Sequence, residues 1–162
     1  MDKKLQDAFN EQLRNEFYSA YLYLSMAAYC EACNLPGFSH WLQVQRLEEL
    51  EHGMKFFKHL ADRGARIILQ GEAVREVPTD FGTPVELFEK VLEHEKFITD
   101  KINKLYELAM ELKDYPAQVF LQWFITEQVE EEKSASDILA MLKMVKPDSG
   151  AIFMIDKKLG ER

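Results

Sequence analysis

Apolar residues recur at intervals of three and four through most of the chain, the spacing of one helix face. Leu5, Ala8, Phe9, Leu13, Phe17, Ala20, Tyr21, Leu24, Ala27 and Ala28 predict a first helix over 5–33. Asn34-Leu35-Pro36-Gly37 interrupts it, with Asn34 suited to a cap and Pro36 to a helix start. Trp41, Leu42, Val44, Leu47, Met54, Phe57 and Leu60 carry a second helix to about Arg63, and Gly64 supplies its stop. Thr83-Pro84-Val85-Glu86 combines a capping box with a first-turn proline and opens a third helix, which runs to about Lys113. Asp114-Tyr115-Pro116 reverses the chain into a fourth helix ending near Val145. Pro147-Asp148-Ser149-Gly150 breaks the pattern again. Ala151 to Leu159, with Ile152, Phe153, Ile155 and Leu159, then makes a fifth helix too short to persist undocked.

The segment 65–82 differs in kind. Ile67-Ile68-Leu69 fits a short extended piece, and Val77-Pro78-Thr79-Asp80-Phe81-Gly82 is loop chemistry. Extended, it spans roughly 60 Å at about 3.3 Å per residue, against about 42 Å for a helix of this length. It can therefore run the length of the neighbouring helices, so that the third helix begins beside the start of the second. Two hairpins joined in this way make an all-α, four-helix bundle with a long crossover and a short fifth helix. The reading is one domain over 1–162, with the bundle at 5–145 and the C-terminal helix at 149–160.

Composition narrows what such a bundle can do. Its 162 residues suffice for one substantial core, and 47% hydrophobic against 30% charged residues exclude a disordered chain. The net charge of −8, with no basic patch, argues against nucleic acid as a partner. No apolar run is long enough to span a membrane, and Met1-Asp2-Lys3-Lys4-Leu5-Gln6-Asp7 lacks the core of a signal peptide, so a cytoplasmic location is expected. Cys30 and Cys33 have no second cysteine pair to complete a zinc site and read as reduced thiols.

The candidate chemistry lies mid-helix in Arg46-Leu47-Glu48-Glu49-Leu50-Glu51-His52. Glu49 and His52, three apart, share a helix face. Alone, such a pair is usually a solvated charged face. Yet Glu16 lies 33 residues before Glu49 and 36 before His52, and Glu95 lies 33 before Gln128 and 36 before Glu131. All six are mid-helix donors that can meet at one level of the bundle. Like charges so crowded would protonate or destabilise the fold, and divalent cations remove the conflict. Oxygen-rich ligation with one imidazole and no thiolate suits iron or manganese. Glu49 can bridge two ions, one held with Glu16 and His52, the other with Glu95 and Glu131, while Gln128 holds water or a ligand in place.

The run Asn15-Glu16-Phe17-Tyr18-Ser19-Ala20-Tyr21-Leu22-Tyr23-Leu24-Ser25-Met26, the step Glu48-Glu49-x-x-His52, Glu93-His94-Glu95, Phe120-Leu121-Gln122-Trp123-Phe124, Glu127-Gln128-Val129-Glu130-Glu131-Glu132 and the end Ile155-Asp156-Lys157-Lys158-Leu159-Gly160 resemble the non-haem ferritins of bacteria and archaea. The resemblance covers nearly the whole chain. It implies a ferroxidase that oxidises Fe(II) to Fe(III) with dioxygen or peroxide and stores ferric mineral inside a 24-subunit homo-oligomeric shell. It assigns Glu16, Glu49, His52, Glu95, Gln128 and Glu131 to a di-iron centre, and Glu48, Glu127 and Glu130 to a third iron site beside it. Glu127, Glu130 and Glu131 also share one helix face, which by itself is equally the description of a solvated acidic surface. Tyr23, two turns after Glu16, can hydrogen-bond a ligand, supply an electron or simply pack. Trp123 reads first as a packing residue, and Glu51 as a solvated charge that, by family position, faces the mineral.

Two departures restrict the resemblance. Bacterioferritins carry a second Glu-x-x-His on the fourth helix and bind haem through a methionine two residues before the second-helix histidine. Here those places read Glu127-Gln128-Val129-Glu130 and Leu50, so no haem is expected. Animal ferritins line a three-fold pore with acids where this chain has Gln118 and Leu121. His94 points about 100° away from Glu95 and is not expected among the ligands; His40 and His59 lack partner spacing. The other classes consistent with the residues are a metal-free helical interaction module and a DNA-protecting mini-ferritin.

Overall fold

Asp2 opens the first helix by accepting a hydrogen bond from the Lys4 amide at 2.8 Å, so the helix begins two residues before the apolar pattern does. The computed structural model describes residues 1–146 and 149–162; the break read at Pro147-Asp148 lies outside the described residues. The helices are α1 (Lys3–Ala32), α2 (Pro36–Asp62), α3 (Pro84–Glu111), α4 (Tyr115–Met144) and α5 (Ala151–Leu159), with a 3₁₀ turn at Gly71–Val74. No strand occurs among the described residues, and Ile67-Ile68-Leu69 lies in the crossover outside any helix.

Local chemistry sets the ends. Asn34 adopts φ 56° and turns the chain out of α1, rather than capping α2; Leu35 takes that position without a side-chain bond. The Thr83–Glu86 capping box forms in full. Asp114 accepts from the Ala117 amide at 3.1 Å and pairs with both Arg63 terminal nitrogens at 2.9 Å, tying the end of α2 to the start of α4. The Arg63 guanidinium holds the Asp114 carboxyl below its ordinary value.

The crossover's path is written in its bonds to α1. Asn10 donates to the Arg66 carbonyl and accepts from the Ile68 amide. Arg75 lies over the Tyr18 ring, Ser25 donates to the Pro78 carbonyl, and Tyr29 donates to the Gly82 carbonyl. The loop thus climbs α1 from its first turns to its last, and α3 starts beside the start of α2. The bundle is two antiparallel hairpins set side by side by a long crossover.

The core falls into two apolar halves. Leu5, Phe9, Leu13, Phe56, Leu60, Ile102, Leu121 and Phe124 fill one. Tyr23, Met26, Phe38, Leu42, Phe81, Phe88, Val91 and Leu142 fill the other. Buried polar residues lie along all four long helices: Gln12, Glu16, Gln45, Glu49, His52, Glu95, Gln128 and Glu131. The fifth helix docks on the start of α2. Asp156 Oδ1 accepts from the Phe38 amide at 3.0 Å, and a Cβ on Gly37 would lie 1.7 Å from the Asp156 carbonyl oxygen. Only glycine admits that approach.

Not every position of the apolar pattern reaches the core. Tyr21, Leu24, Leu47 and Met54 are exposed, as are Leu69 and Val74 of the crossover. Leu13, Phe17, Tyr21, Leu24, Leu50, Leu69 and Val74 line a groove of about 360 Å³ on this outer side of α1 and α2.

Candidate metal centre

Each long helix contributes to the buried cluster through a side chain near its middle: Glu16 from α1, Glu49 and His52 from α2, Glu95 from α3, Gln128 and Glu131 from α4. Ligand atoms of Glu16, Glu49 and His52 lie within 4.8 Å of one another, and so do those of His52, Glu127 and Glu131. The imidazole stands between the two sets, with Nδ1 3.7 Å from Glu49 and Nε2 3.8 Å from Glu127. Glu95 belongs to neither set. Tyr23 donates to its carboxylate, and the Gln128 amide donates to it at 3.3 Å.

Of the three acids read as a further ion site, only Glu127 joins the cluster. Glu130 is exposed, and Glu48 pairs with Arg162 at 2.5 Å. Glu51 is exposed as well. His94 turns away to Ser19 at 2.8 Å, and burial pushes its pKa down. His59 stacks on Phe9 and Phe120, and His40 is exposed. Trp123 does not enter the core: it is 40% exposed, meets His52 edge-on at 5.4 Å and carries Lys55 over its ring. Cys30 is buried and Cys33 exposed, both as free thiols.

The electrostatics are those of acids crowded together in a buried site. Burial, then the neighbouring Glu49, pushes the Glu16 carboxyl up to about 8, and burial with Glu49 raises Glu131 to about 7. Glu95 is raised well above its ordinary value by burial, Glu49 and Glu131. Burial pulls the His52 imidazolium down, but Glu49, Glu16 and Glu131 outweigh it and lift His52 to about 9. Burial and Glu95 likewise keep the Tyr23 proton on its hydroxyl. Glu16 Oε2 is buried with no hydrogen-bond partner, an orphaned acceptor of the kind that a metal ion satisfies. Carboxylates with one imidazole fit hard to borderline divalent ions, which would take the place of the bound protons.

Comparison with known proteins agrees with this geometry. The family model described as a ferritin-like domain matches residues 6–145. A bacterial non-heme ferritin of Bacteroides fragilis is 41% identical over all of this chain and 99% of its own length. One from Staphylococcus aureus is 36% identical over all of this chain and 96% of its own. An open pore ferritin from the hyperthermophilic archaeon Archaeoglobus fulgidus superposes with a TM-score of 0.97 at 45% identity, covering 100% of this chain and 99% of that one.

The chain belongs to the non-haem ferritin family.

In this ferritin the carboxylates are themselves held by residues that the donor pattern alone does not single out. Gln12 donates to Glu16 at 2.8 Å; Gln45 donates to Glu131 at 2.8 Å and to Glu49 at 3.2 Å. Each glutamine sits four residues before a cluster carboxylate, and Gln45 follows Gln12 by the same 33 residues that separate Glu16 from Glu49. That repeat was the available signal. Thr99 accepts from Gln128 at 3.3 Å and donates to Glu132 at 2.6 Å, leading from the cluster toward the surface.

The raised pKa values fix the sign of a stability effect. Between their ordinary values and those of the folded protein, Glu16, Glu131 and His52 bind more protons folded than unfolded. Stability therefore falls as pH rises. The metal-free ferritin should lose melting temperature steadily as pH climbs through 7, 8 and 9. Saturating Zn(II) should flatten the decline, because the metal replaces the lost protons. Calorimetric melts of both forms across this range measure it.

Proposed function

We propose that this chain is an iron-storage ferroxidase. The observation that carries the reading is the buried Glu16–Glu49–His52 set, with Glu95 and Glu131 close by and one Glu16 carboxylate oxygen buried without a hydrogen-bond partner. Fe(II) is the substrate. Glu49 bridges two ions, one completed by Glu16 and His52, the other by Glu131 and Glu95, with Gln128 steering Glu95 and bound water. Two Fe(II) give two electrons to dioxygen, which takes up two protons to leave as hydrogen peroxide. With peroxide as oxidant, the same electrons and two protons yield water. Binding supplies protons as well, because Glu16 and Glu131 must lose theirs to ligate. Tyr23 holds Glu95 through its hydroxyl.

Glu127, beside His52 Nε2, together with Glu48 and Glu130 takes an outer ion on its way out of the centre. Ferric product passes into the hollow of a homo-oligomeric shell of 24 subunits, where Glu51 faces the mineral. The exposed apolar side of α1, α2 and the crossover supports assembly, since a patch of this kind rarely stays in water. The proposed protein is one ferritin-like domain, works without haem or nucleic acid, and resides in the cytoplasm. No helix among the described residues is long and apolar enough to cross a membrane.

Aerobic loading tests the storage half of this reading. Ferrous salt added well beyond the two or three ions a subunit can ligate should remain soluble and co-elute, as ferric iron, with a large protein particle on gel filtration. Uptake that stops at the ligated ions, with the excess precipitating apart from the protein, would contradict storage.

A further inference from the structure

Arg162 lies far from α2 in sequence but docks on one face of it. Its guanidinium donates to Gln45 Oε1 at 3.0 Å and pairs with Glu48 Oε2 at 2.5 Å. The same group lies 4.7 Å from the centre of the Trp41 ring, and the Arg162 carbonyl pairs with His40 at 3.1 Å. These partners stand at successive turns of α2. The anchor is α5, seated on Gly37 and Phe38 through Asp156, which leaves only Gly160 and Glu161 as the tether. A leash this short keeps the cation at high effective concentration beside Glu48.

Gln45 extends the influence inward. It is fully buried; its carbonyl accepts from Arg162 while its amide nitrogen donates to both Glu49 and Glu131. Turning the amide over would set its oxygen against two carboxylates and its NH₂ against a cation. The guanidinium therefore contacts one carboxylate directly and two through the amide it orients.

We propose that Arg162 is a tethered counter-cation for Glu48, occupying the place of the outer ion and having to swing aside before that carboxylate takes a metal. Its presence weakens the outermost ion's binding, so an ion there is held loosely enough to move on. The pair is part-exposed, so the brake is modest and a divalent ion can displace it. The proposal rests on the reading of Glu48 as a ligand of the outer ion.

Anaerobic calorimetric titration of the metal-free protein with Zn(II) tests it in wild type, R162Q, R162K, E48Q, E130Q and E48Q/R162Q. R162Q should tighten the weakest binding step by about three- to tenfold, the worth of one charge-assisted contact at a part-exposed site. The tighter steps should not change. R162K keeps the charge but loses the fork to Gln45 and the stacking on Trp41, so its gain should be smaller than that of R162Q. In the E48Q background the gain from R162Q should vanish. An unchanged or weaker last step in R162Q overturns the proposal, as does an equal gain in E48Q/R162Q. Lower melting temperatures in both R162Q and R162K, with zinc affinity unmoved, would leave packing on Trp41 as the residue's only role. If E48Q and E130Q bind zinc as wild type does, the outer-ion reading falls and takes the proposal with it. If E48Q weakens binding while R162Q does nothing, the proposal alone falls.

Discussion

Replacing His52 with alanine should slow oxidation of the first two Fe(II) per subunit by about 100-fold or more, the scale expected when a group acting directly on the metal is lost. His52 is the sole imidazole of the cluster and lies between its two ligand sets. Its removal strips the Glu16–Glu49 position of a strong neutral donor. It also leaves acids that burial and mutual repulsion already drive to hold protons, so metal must compete harder for them. The fold should survive, because the apolar halves of the core on either side are untouched. His52→Gln, which refills the space beside Trp123 and Phe124, separates lost ligation from a lost neighbour. Stopped-flow absorbance after aerobic mixing gives the rates. A His52→Ala rate within about twofold of wild type would remove the catalytic role assigned to the imidazole.

Gly37→Ala should be the most damaging small substitution outside the metal cluster. An added methyl would sit 1.7 Å from the Asp156 carbonyl oxygen and 2.5 Å from its carbon, both backbone atoms of a docked helix. Neither can rotate away, so α5 must shift or detach. With it go the bond from the Phe38 amide to Asp156 and the burial of Ile155 and Leu159. A loss of roughly 2–4 kcal/mol is expected, in the range of overpacking combined with a broken buried contact. That lowers the melting temperature by about 4–16 °C for a chain of this size. Differential scanning calorimetry decides it, and an unchanged melting temperature would mean that α5 adapts at no cost.

The two hairpins were legible because helix periodicity, the Thr83–Glu86 box and the length of the 65–82 segment all limit the same few topologies. The six buried donors were legible for a related reason: their spacings place them at one level of any such bundle. The pattern could not show how they turn once there. Glu95 faces Tyr23, and Glu127 approaches His52, because of side-chain packing between helices rather than spacing along one. Arg162 was invisible as a neighbour of Glu48 because 114 residues separate them and no periodic rule links a tail to a helix face. Leu24, Leu47 and Met54 fit the apolar pattern yet lie outside the core. Periodicity reports which face is apolar, not whether the same chain or another covers it.

A crystal soaked anaerobically in ferrous salt, with anomalous diffraction collected on both sides of the iron edge, reads the centre directly. Two iron peaks are expected within ligand distance of Glu49, one shared with Glu16 and His52, the other with Glu131 and a Glu95 released from Tyr23. A pocket without iron signal, its carboxylates still held by Gln12, Gln45 and Tyr23, would contradict a di-iron centre in this fold.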